Sequence, residues 1–254
     1  MKKSVSIIVP AYNEEGNIIS AISDAKAAVK ALNNWEMVVV DDGSTDKTGL
    51  ILEKIARHDP RIRIITHAVN MGFGQTIKDG IAASRKEYIT QFHGDNDAAG
   101  ESLRLMLDNL GKEDLVVSYT VDSRTRSPAR RIVSKMFAVA MNMIFGMNLR
   151  YFNGCFLCKR KLLQSINLTS SGFAIYAEAK VRLIKAGASI IEVPFNHVGR
   201  KHGKSKAVSI KSVIETLITI LLLINDIYFR KSYQQSIKPQ NLRKPVAVRE
   251  TIGT

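Results

Sequence analysis

Met37-Val38-Val39-Val40-Asp41-Asp42-Gly43-Ser44-Thr45 is the stretch whose reading decides the fold. The β-branched run 38–40 reads as a buried strand. It breaks off at two carboxylates and a turn at Gly43, and Ser44 and Thr45 are natural N-cap residues for a helix over 45–57. In open α/β sheets a ligand binds beyond the carboxyl ends of the strands. Asp41 and Asp42 stand at such an end. Their acceptor oxygens suit a sugar, a base or a divalent cation.

The same alternation extends to both sides of this unit. Apolar runs at 5–9, 61–66, 88–92 and 115–117 read as further strands, with helical patterns at 17–32, 75–84 and 101–110 between them. This order predicts an α/β chain, a Rossmann-like, mostly parallel sheet with helices on both faces. Asn70-Met71-Gly72-Phe73-Gly74 is a loop opening the third helix; its spacing suits either a phosphate or a tight strand-to-helix turn. Further on, a helix is expected around 130–145, another over 172–186, a short strand over 189–193 and an apolar helix from about 209 to 229. Residues 1–230 read as one domain with two halves, 1–117 and 118–230. The basic tail 231–254, with Pro239 and Pro245, is expected to be mobile.

Charge divides the 254-residue chain the same way. Residues 1–117 carry 14 lysines and arginines against 17 acidic residues, a balance of −3, whereas residues 118–254 carry 23 against 6, a balance of +17. The basic half calls for an anionic partner: nucleic acid, a phosphorylated substrate or an anionic membrane surface. No nucleic-acid-binding motif accompanies it, which argues against the first. Cys155 and Cys158, the only cysteines, could form a redox pair or half a metal site. The absence of a second pair favours two small buried hydrophobes in a reduced, cytoplasmic chain. Residues 5–9 are too short for a secretory apolar region, and the most apolar stretch lies between Glu215 and Asp226, so no membrane span is expected.

On the helix around 130–145, Ile132, Val133, Met136, Val139, Ala140, Met143 and Ile144 fall on one arc. Such an arc either packs on a core or lies on lipid between basic flanks. Pro10, Tyr12 and Glu14 end the first strand, where Tyr12 can stack on a base and Glu14 or Asp41 can accept hydrogen bonds from ribose or base. Asp95 and Asp97 end another, with the spacing to hold Mg²⁺ or Mn²⁺ across a diphosphate. His93, two residues before Asp95, could take a catalytic role, but a structural histidine at a strand end is the favoured reading.

Ser6-Ile7-Ile8-Val9-Pro10-Ala11-Tyr12-Asn13-Glu14-Glu15, Val40-Asp41-Asp42-Gly43-Ser44-Thr45-Asp46 and Asp95-Asn96-Asp97 together resemble the family 2 glycosyltransferases of the GT-A fold. Tyr176-Ala177-Glu178, Val193-Pro194 and the basic segment 200–206 resemble its dolichol-phosphate mannosyltransferase, or polyprenyl-phosphate glycosyltransferase, branch. The resemblance covers roughly residues 4–230. It implies that Pro10, Tyr12, Glu14 and Asp42, with Asp41 beside them, contact the nucleoside, and that Asp95 and Asp97 hold the metal and diphosphate. It further implies that Arg124, Arg130, Arg200, Ser205 and Lys206 surround the phosphate of a lipid acceptor. Asp97, Arg124, Arg130 and Arg200 would carry the chemistry, and the helix around 130–145 becomes an interface helix. Two segments depart from the pattern. Ala98-Ala99 stands where a polar metal ligand is usual, with Glu101 the nearest substitute, and Tyr151-Phe152-Asn153-Gly154 replaces an Asp…Ser-Gly segment.

A sugar hydroxyl needs a base when it attacks, whereas a phosphate monoester is already anionic near neutral pH. Glu178 is the one candidate base, and no obvious base motif surrounds it. The expected activity is therefore inverting transfer of a hexose from a nucleotide-diphosphate sugar to a polyprenyl phosphate. The protein would be peripheral on the cytoplasmic face of a membrane. The alternatives are a sugar-hydroxyl acceptor in glycan assembly and a non-catalytic, nucleotide-binding docking protein.

Overall fold

The computed structural model describes residues 3–97, 100–121, 128–196 and 210–230. Arg124, Arg200, Ser205, Lys206, Ala98, Ala99 and the tail 231–254 lie outside them. The chain runs β1 (Val5–Ala11), α1 (Ile18–Ala28), β2 (Trp35–Asp41), α2 (Thr48–His58), β3 (Ile62–Thr66), α3 (Phe73–Ala83), β4 (Tyr88–Gln91) and α4 (Gly100–Asp108). It continues through β5 (Leu115–Thr120), α5 (Pro128–Phe145), β6 (Phe156–Lys159), α6 (Arg160–Gln164), α7 (Ile175–Lys185), β7 (Ile190–Phe195) and α8 (Ile210–Ile224), which passes into a π-turn at Asn225–Phe229.

The strands form one sheet in the order β3-β2-β1-β4-β6-β5-β7. Every pairing is parallel except those of β6, which is antiparallel to both β4 and β5. All seven residues of β1 and all seven of β2 are buried. Strands covered on both faces need apolar residues in continuous rather than alternating runs, which is why 37–40 reads as it does. Helices α1, α2 and α4 pack together; α3 packs on β1 and β2 and against α6, which in turn meets α7, and α7 meets α8.

Register determines what the strand ends bring together. Ala11 pairs with Asp41 across β1 and β2, and Ile8 with Gln91 across β1 and β4. Beyond the strands, Asp42 N donates to Ala11 O at 2.9 Å and Gly94 N to Pro10 O at 3.1 Å. Segments 10–15, 41–46 and 93–97 therefore meet on one rim of the sheet.

The sequence reading needs three local corrections. Ser44 and Thr45 do not cap α2, which begins at Thr48; instead Ser44 Oγ accepts Asn13 N at 2.9 Å and Thr45 N donates to Asn13 Oδ1 at 2.8 Å. Residues 29–34 leave α1 through a tight turn, with Leu32 N donating to Val29 O at 2.8 Å. Finally, strand β6 is unexpected, its four residues carrying little period of their own, while Cys155 and Cys158 are free and buried, as expected.

The apolar arc of α5 faces outward. Ile132, Val133, Met136, Val139 and Met143 are 55–73% exposed, while a second stripe, Ala138, Met141 and Phe145, is buried. Helix α8 repeats this arrangement, with Val213, Ile214, Leu217, Ile218 and Leu221 exposed and Thr219 and Leu223 buried. The Tyr228 hydroxyl donates to Ile144 O at 2.6 Å and its ring stacks on Phe145, joining the ends of the two helices. The stretch Ser212–Phe229 has the length and mean hydropathy, 1.7, to cross a membrane, contrary to the expectation of no span. Its inner face is nonetheless fastened to the domain.

Candidate active site

The rim carries a cleft of about 1240 Å³. Its first wall is made by two loops that zip together beyond β1 and β2. Asn13 takes up the left-handed conformation (φ 54°), so its backbone and side chain both face the 44–45 turn. Glu14 N donates to Thr48 Oγ1 at 2.8 Å, and Asn17 Nδ2 donates to Glu14 Oε2 at 2.7 Å. Pro10, Tyr12 and Glu14 all line the cleft. So does Asp46. Burial works to raise its carboxyl, but the Thr48 hydroxyl and backbone amides outweigh burial and hold it below 3.8.

The two carboxylates of the opening stretch do different things. Asp42 lines the cleft and fastens the loop before α3, accepting Met71 N at 2.8 Å and Gly72 N at 3.0 Å. Its Oδ1 also lies 2.7 Å from His67 Nδ1, whose other ring nitrogen is 3.0 Å from Asp79. Asp41 is not part of the cleft wall. Its Oδ1 accepts Ser44 N at 3.1 Å, and Oδ2 would lie 3.2 Å from a Cβ on Gly49 of α2. Asp41 thus stands behind Asp42, where its Oδ1 holds the 41–44 turn.

Asp95 and Asp97 line the cleft beyond β4. Asn96 between them is left-handed (φ 51°), and its Nδ2 donates to Asp24 Oδ2 at 3.0 Å on α1. Asp97 N donates to Asp95 Oδ1 at 3.2 Å. These are two hard oxygen donors at a solvent-reached rim, a set suited to Mg²⁺ or Mn²⁺. Among the described residues no group of three His, Cys, Asp or Glu side chains is placed to hold a metal ion, and Glu101 is exposed and does not line the cleft.

Behind the carboxylates lies a layer in which sequence reasoning named His93, Tyr176 and Cys155 singly and passed over Lys180. His93 Nε2 lies 3.1 Å from the Tyr176 hydroxyl and 3.8 Å from Cys155 Sγ. Burial pulls the imidazole down, but the Cys155 thiol and the Asp95 and Asp97 carboxylates outweigh it and bring it up to about 9. Phe73 meets His93 and Tyr176 edge-on and stacks on Phe173 at 4.8 Å. Lys180, wholly buried on α7, donates to the carbonyls of Phe152 at 2.9 Å and Gly154 at 2.7 Å, holding the 151–154 loop in place. Burial pushes that ammonium down to about 7, with Cys155 and Glu192 opposing. A buried lysine within helix 172–186 was the available signal.

Glu178 does not fit the role of base. It is 0% exposed, and its carboxylate accepts Thr169 N, Thr169 Oγ1 and Ser170 N and pairs with Arg182 at 2.9 Å. Among the described residues of 118–230, the carboxylate that lines the cleft is Glu215 on α8. Beside it the cleft runs between Arg130, Val133 and Phe137 of α5 and Val213, Leu217 and Ile220 of α8. One end of the cleft is thus lined by several carboxylates, and the other is largely apolar with Arg130 and Glu215 in its wall.

With that geometry in view, comparison with known proteins identifies the kin. The family profile described as Glycosyl transferase family 2 matches residues 6–182. The chain belongs to this family. Among curated relatives of this glycosyltransferase is the polyprenol monophosphomannose synthase of Mycolicibacterium smegmatis, 28% identical over 213 residues, covering 79% of each protein. Another is the dolichyl-phosphate beta-glucosyltransferase of Saccharomyces cerevisiae, 26% identical over 190 residues, or 70% of this chain. The matched region spans only 55% of that yeast protein. Among solved structures, glucosyl-3-phosphoglycerate synthase from Mycobacterium tuberculosis, in complex with Mn²⁺, UDP and glucosyl-3-phosphoglycerate, superposes with a TM-score of 0.65. It is 19% identical and covers 88% of this chain and 80% of its own, a likeness of fold, and the GT-A architecture of this family 2 enzyme follows.

Proposed function

We propose that this glycosyltransferase moves a hexose, with inversion, from a nucleotide-diphosphate sugar to a polyprenyl phosphate at a membrane surface. The observation that carries the reading is the two-ended cleft. Its carboxylate end suits a nucleotide sugar, while the α5–α8 end joins a cation to apolar walls, the combination a phosphate on an isoprenoid chain requires. The names of the yeast and mycobacterial relatives support the same acceptor.

Tyr12 offers a ring for the base, and Pro10, Glu14 and Asp42 border the nucleoside. Asp95 and Asp97 would hold Mg²⁺ or Mn²⁺, which when bound draws charge from the departing diphosphate; water and phosphate oxygens complete such shells. Arg130 would orient the attacking phosphate, joined by Arg124, Arg200, Ser205 and Lys206 from segments outside the described residues. Hydrogen bonds from the neighbouring arginines would hold the anionic nucleophile in line with the sugar. A phosphate nucleophile needs no base, and Glu178 is unavailable for that work.

Docking would be peripheral, on the anionic cytoplasmic leaflet. The exposed faces of α5 and α8 would enter the interface, with Arg131 and Lys135 near lipid phosphates. The inner face of α8 is held by Thr219, Leu223, Asp226 and Ile227 against the domain, which favours an in-plane helix over a crossing one.

A second reading, a sugar-hydroxyl acceptor, is favoured by the presence of Glu215 in the cleft. Substitution separates the two. Under the first reading Glu215→Gln retains transfer to a short polyprenyl phosphate within a few-fold. Loss of about 10²-fold or more, the scale of a missing general base, supports the second.

A further inference from the structure

The apolar helix and the nucleotide loop are far apart in sequence, yet a buried chain of hydrogen bonds joins them. Arg182 of α7, 0% exposed, donates through Nε to Glu178 Oε1 at 2.9 Å and through Nη2 to Asp226 Oδ2 at 2.8 Å, in the π-turn that ends α8. Glu178 in turn holds segment 169–170: Thr169 N and Oγ1 both donate to Oε1 at 2.9 Å, and Ser170 N donates to Oε2 at 2.8 Å. From the α8 side, the Thr219 hydroxyl reaches Ser170 Oγ at 3.3 Å.

Segment 169–173 is the back wall of the loop that Asp42 grips. Gly74 N donates to Ser171 O at 2.8 Å, and a Cβ on Gly74 would stand 2.4 Å from Ser170 O, so the two backbones touch without space for a side chain. At Gly72 (φ +91°) a Cβ would lie 3.2 Å from Ser171 O, while its amide donates to Asp42. Phe173 stacks on Phe73 at the first turn of α3. Moving 169–173 by a fraction of an ångström therefore displaces the 72–74 loop. That loop cannot yield without loosening the two amides that orient the Asp42 carboxylate.

We propose that Asp226, acting through Arg182, Glu178 and segment 169–173, is a positioning residue for the nucleotide donor, although it touches no substrate. Asp226 pairs with Arg182 and, at 3.3 Å, with Arg230; Arg182 and Glu178 lie in a dry interior where a charge left half-paired forces rearrangement. Glu178 passes that rearrangement to segment 169–173 through the amides of Thr169 and Ser170 that it holds. This inference rests on reading the carboxylate end of the cleft as the donor site.

The test uses the full chain and Mn²⁺ with UDP, GDP and dTDP, taking the nucleotide the wild type binds most tightly. Asp226→Asn is expected to weaken that binding about tenfold, the effect of one lost hydrogen bond to a charged group. The donor KM rises with it, the acceptor KM stays at its wild-type value, and Asp226→Glu returns affinity toward the wild type. Thr219→Val, a milder change on the α8 side, gives a smaller shift in the same direction and carries the test if Asp226→Asn does not fold. Folded variants of both positions that bind nucleotide within twofold of the wild type overturn the inference. A wild type that binds none of the three nucleotides overturns the donor-site reading, and the inference with it.

Discussion

The donor rim and the α5–α8 face are built on opposite plans. At the rim, polar groups are buried and paired: Asp41 and Asp42 are 2% and 4% exposed, and their oxygens hold the loops that present them. On the α5–α8 face, apolar groups are exposed and unpacked, with Met143 73% and Leu221 65% open. A polar cluster in the interior specifies geometry, because each group left unpaired is costly. An apolar surface carries no geometry of its own and becomes informative only when something covers it. Under the proposed function, precision lies on the donor side and adhesion on the acceptor side.

Substitutions can break this division. The largest effect is expected from Asp97→Asn, which removes one of two carboxylates for the cation. Turnover falls by about 10²-fold or more, the scale of losing several kcal/mol of charge stabilisation, while binding to anionic vesicles is unchanged. A comparable fall in vesicle binding would merge the two regions into one device. Next comes the pair Met136→Glu and Met143→Glu on the exposed arc of α5. Burying a methionine contributes roughly 1.5–3 kcal/mol, so the pair weakens cosedimentation with anionic vesicles by about 10²-fold or more. Nucleotide binding in solution should not change. Vesicle binding that is lost entirely in high salt would show that basic residues, not the apolar arc, provide the adhesion.

The smallest effect lies in the scaffold beneath the rim. Asp59 is gripped by Arg61 through two hydrogen bonds of 2.9 Å and by Lys26 at 2.8 Å. Arg61 foremost, then Lys26, holds its carboxyl well below the usual 3.8, against the pull of burial. A carboxyl lowered in the folded state contributes stability that is present above its unfolded value of 3.8 and is lost as the pH falls below it. Asp59→Asn should therefore lower the melting midpoint at neutral pH, and the two curves should converge in acid. A constant gap from pH 7 to pH 2 would contradict this.

Most of the donor half was legible because its physics is local. Buried parallel strands need continuous apolar runs, and strand ends in this fold class carry the ligand, so 37–42 and 88–97 announced both architecture and rim. What escaped depends on partners distant in sequence. Asp41 and Asp42 read alike, and only the position of Gly49 and the 71–72 amides separates them. Glu178 stood as a candidate base because nothing local to Tyr176-Ala177-Glu178 shows that it is buried against Arg182, which also grips Asp226, 44 residues further on. The period of α5 identified an apolar arc, but the competing stripe at Ala138, Met141 and Phe145 decided which face turned inward. Strand β6 is four residues long and inserted against the direction of its neighbours, so no pattern in 156–159 could announce it.

The central claim, that the acceptor is a lipid phosphate, is tested most directly by following phosphorus through the reaction. The full chain is incubated with Mn²⁺, a nucleotide sugar and a short-chain polyprenyl phosphate, and the lipid product is read by ³¹P resonance and mass. The account expects the monoester signal to be replaced by that of a phosphodiester carrying one added hexose. A phosphate that remains a monoester while the sugar appears on a hydroxyl acceptor would contradict it.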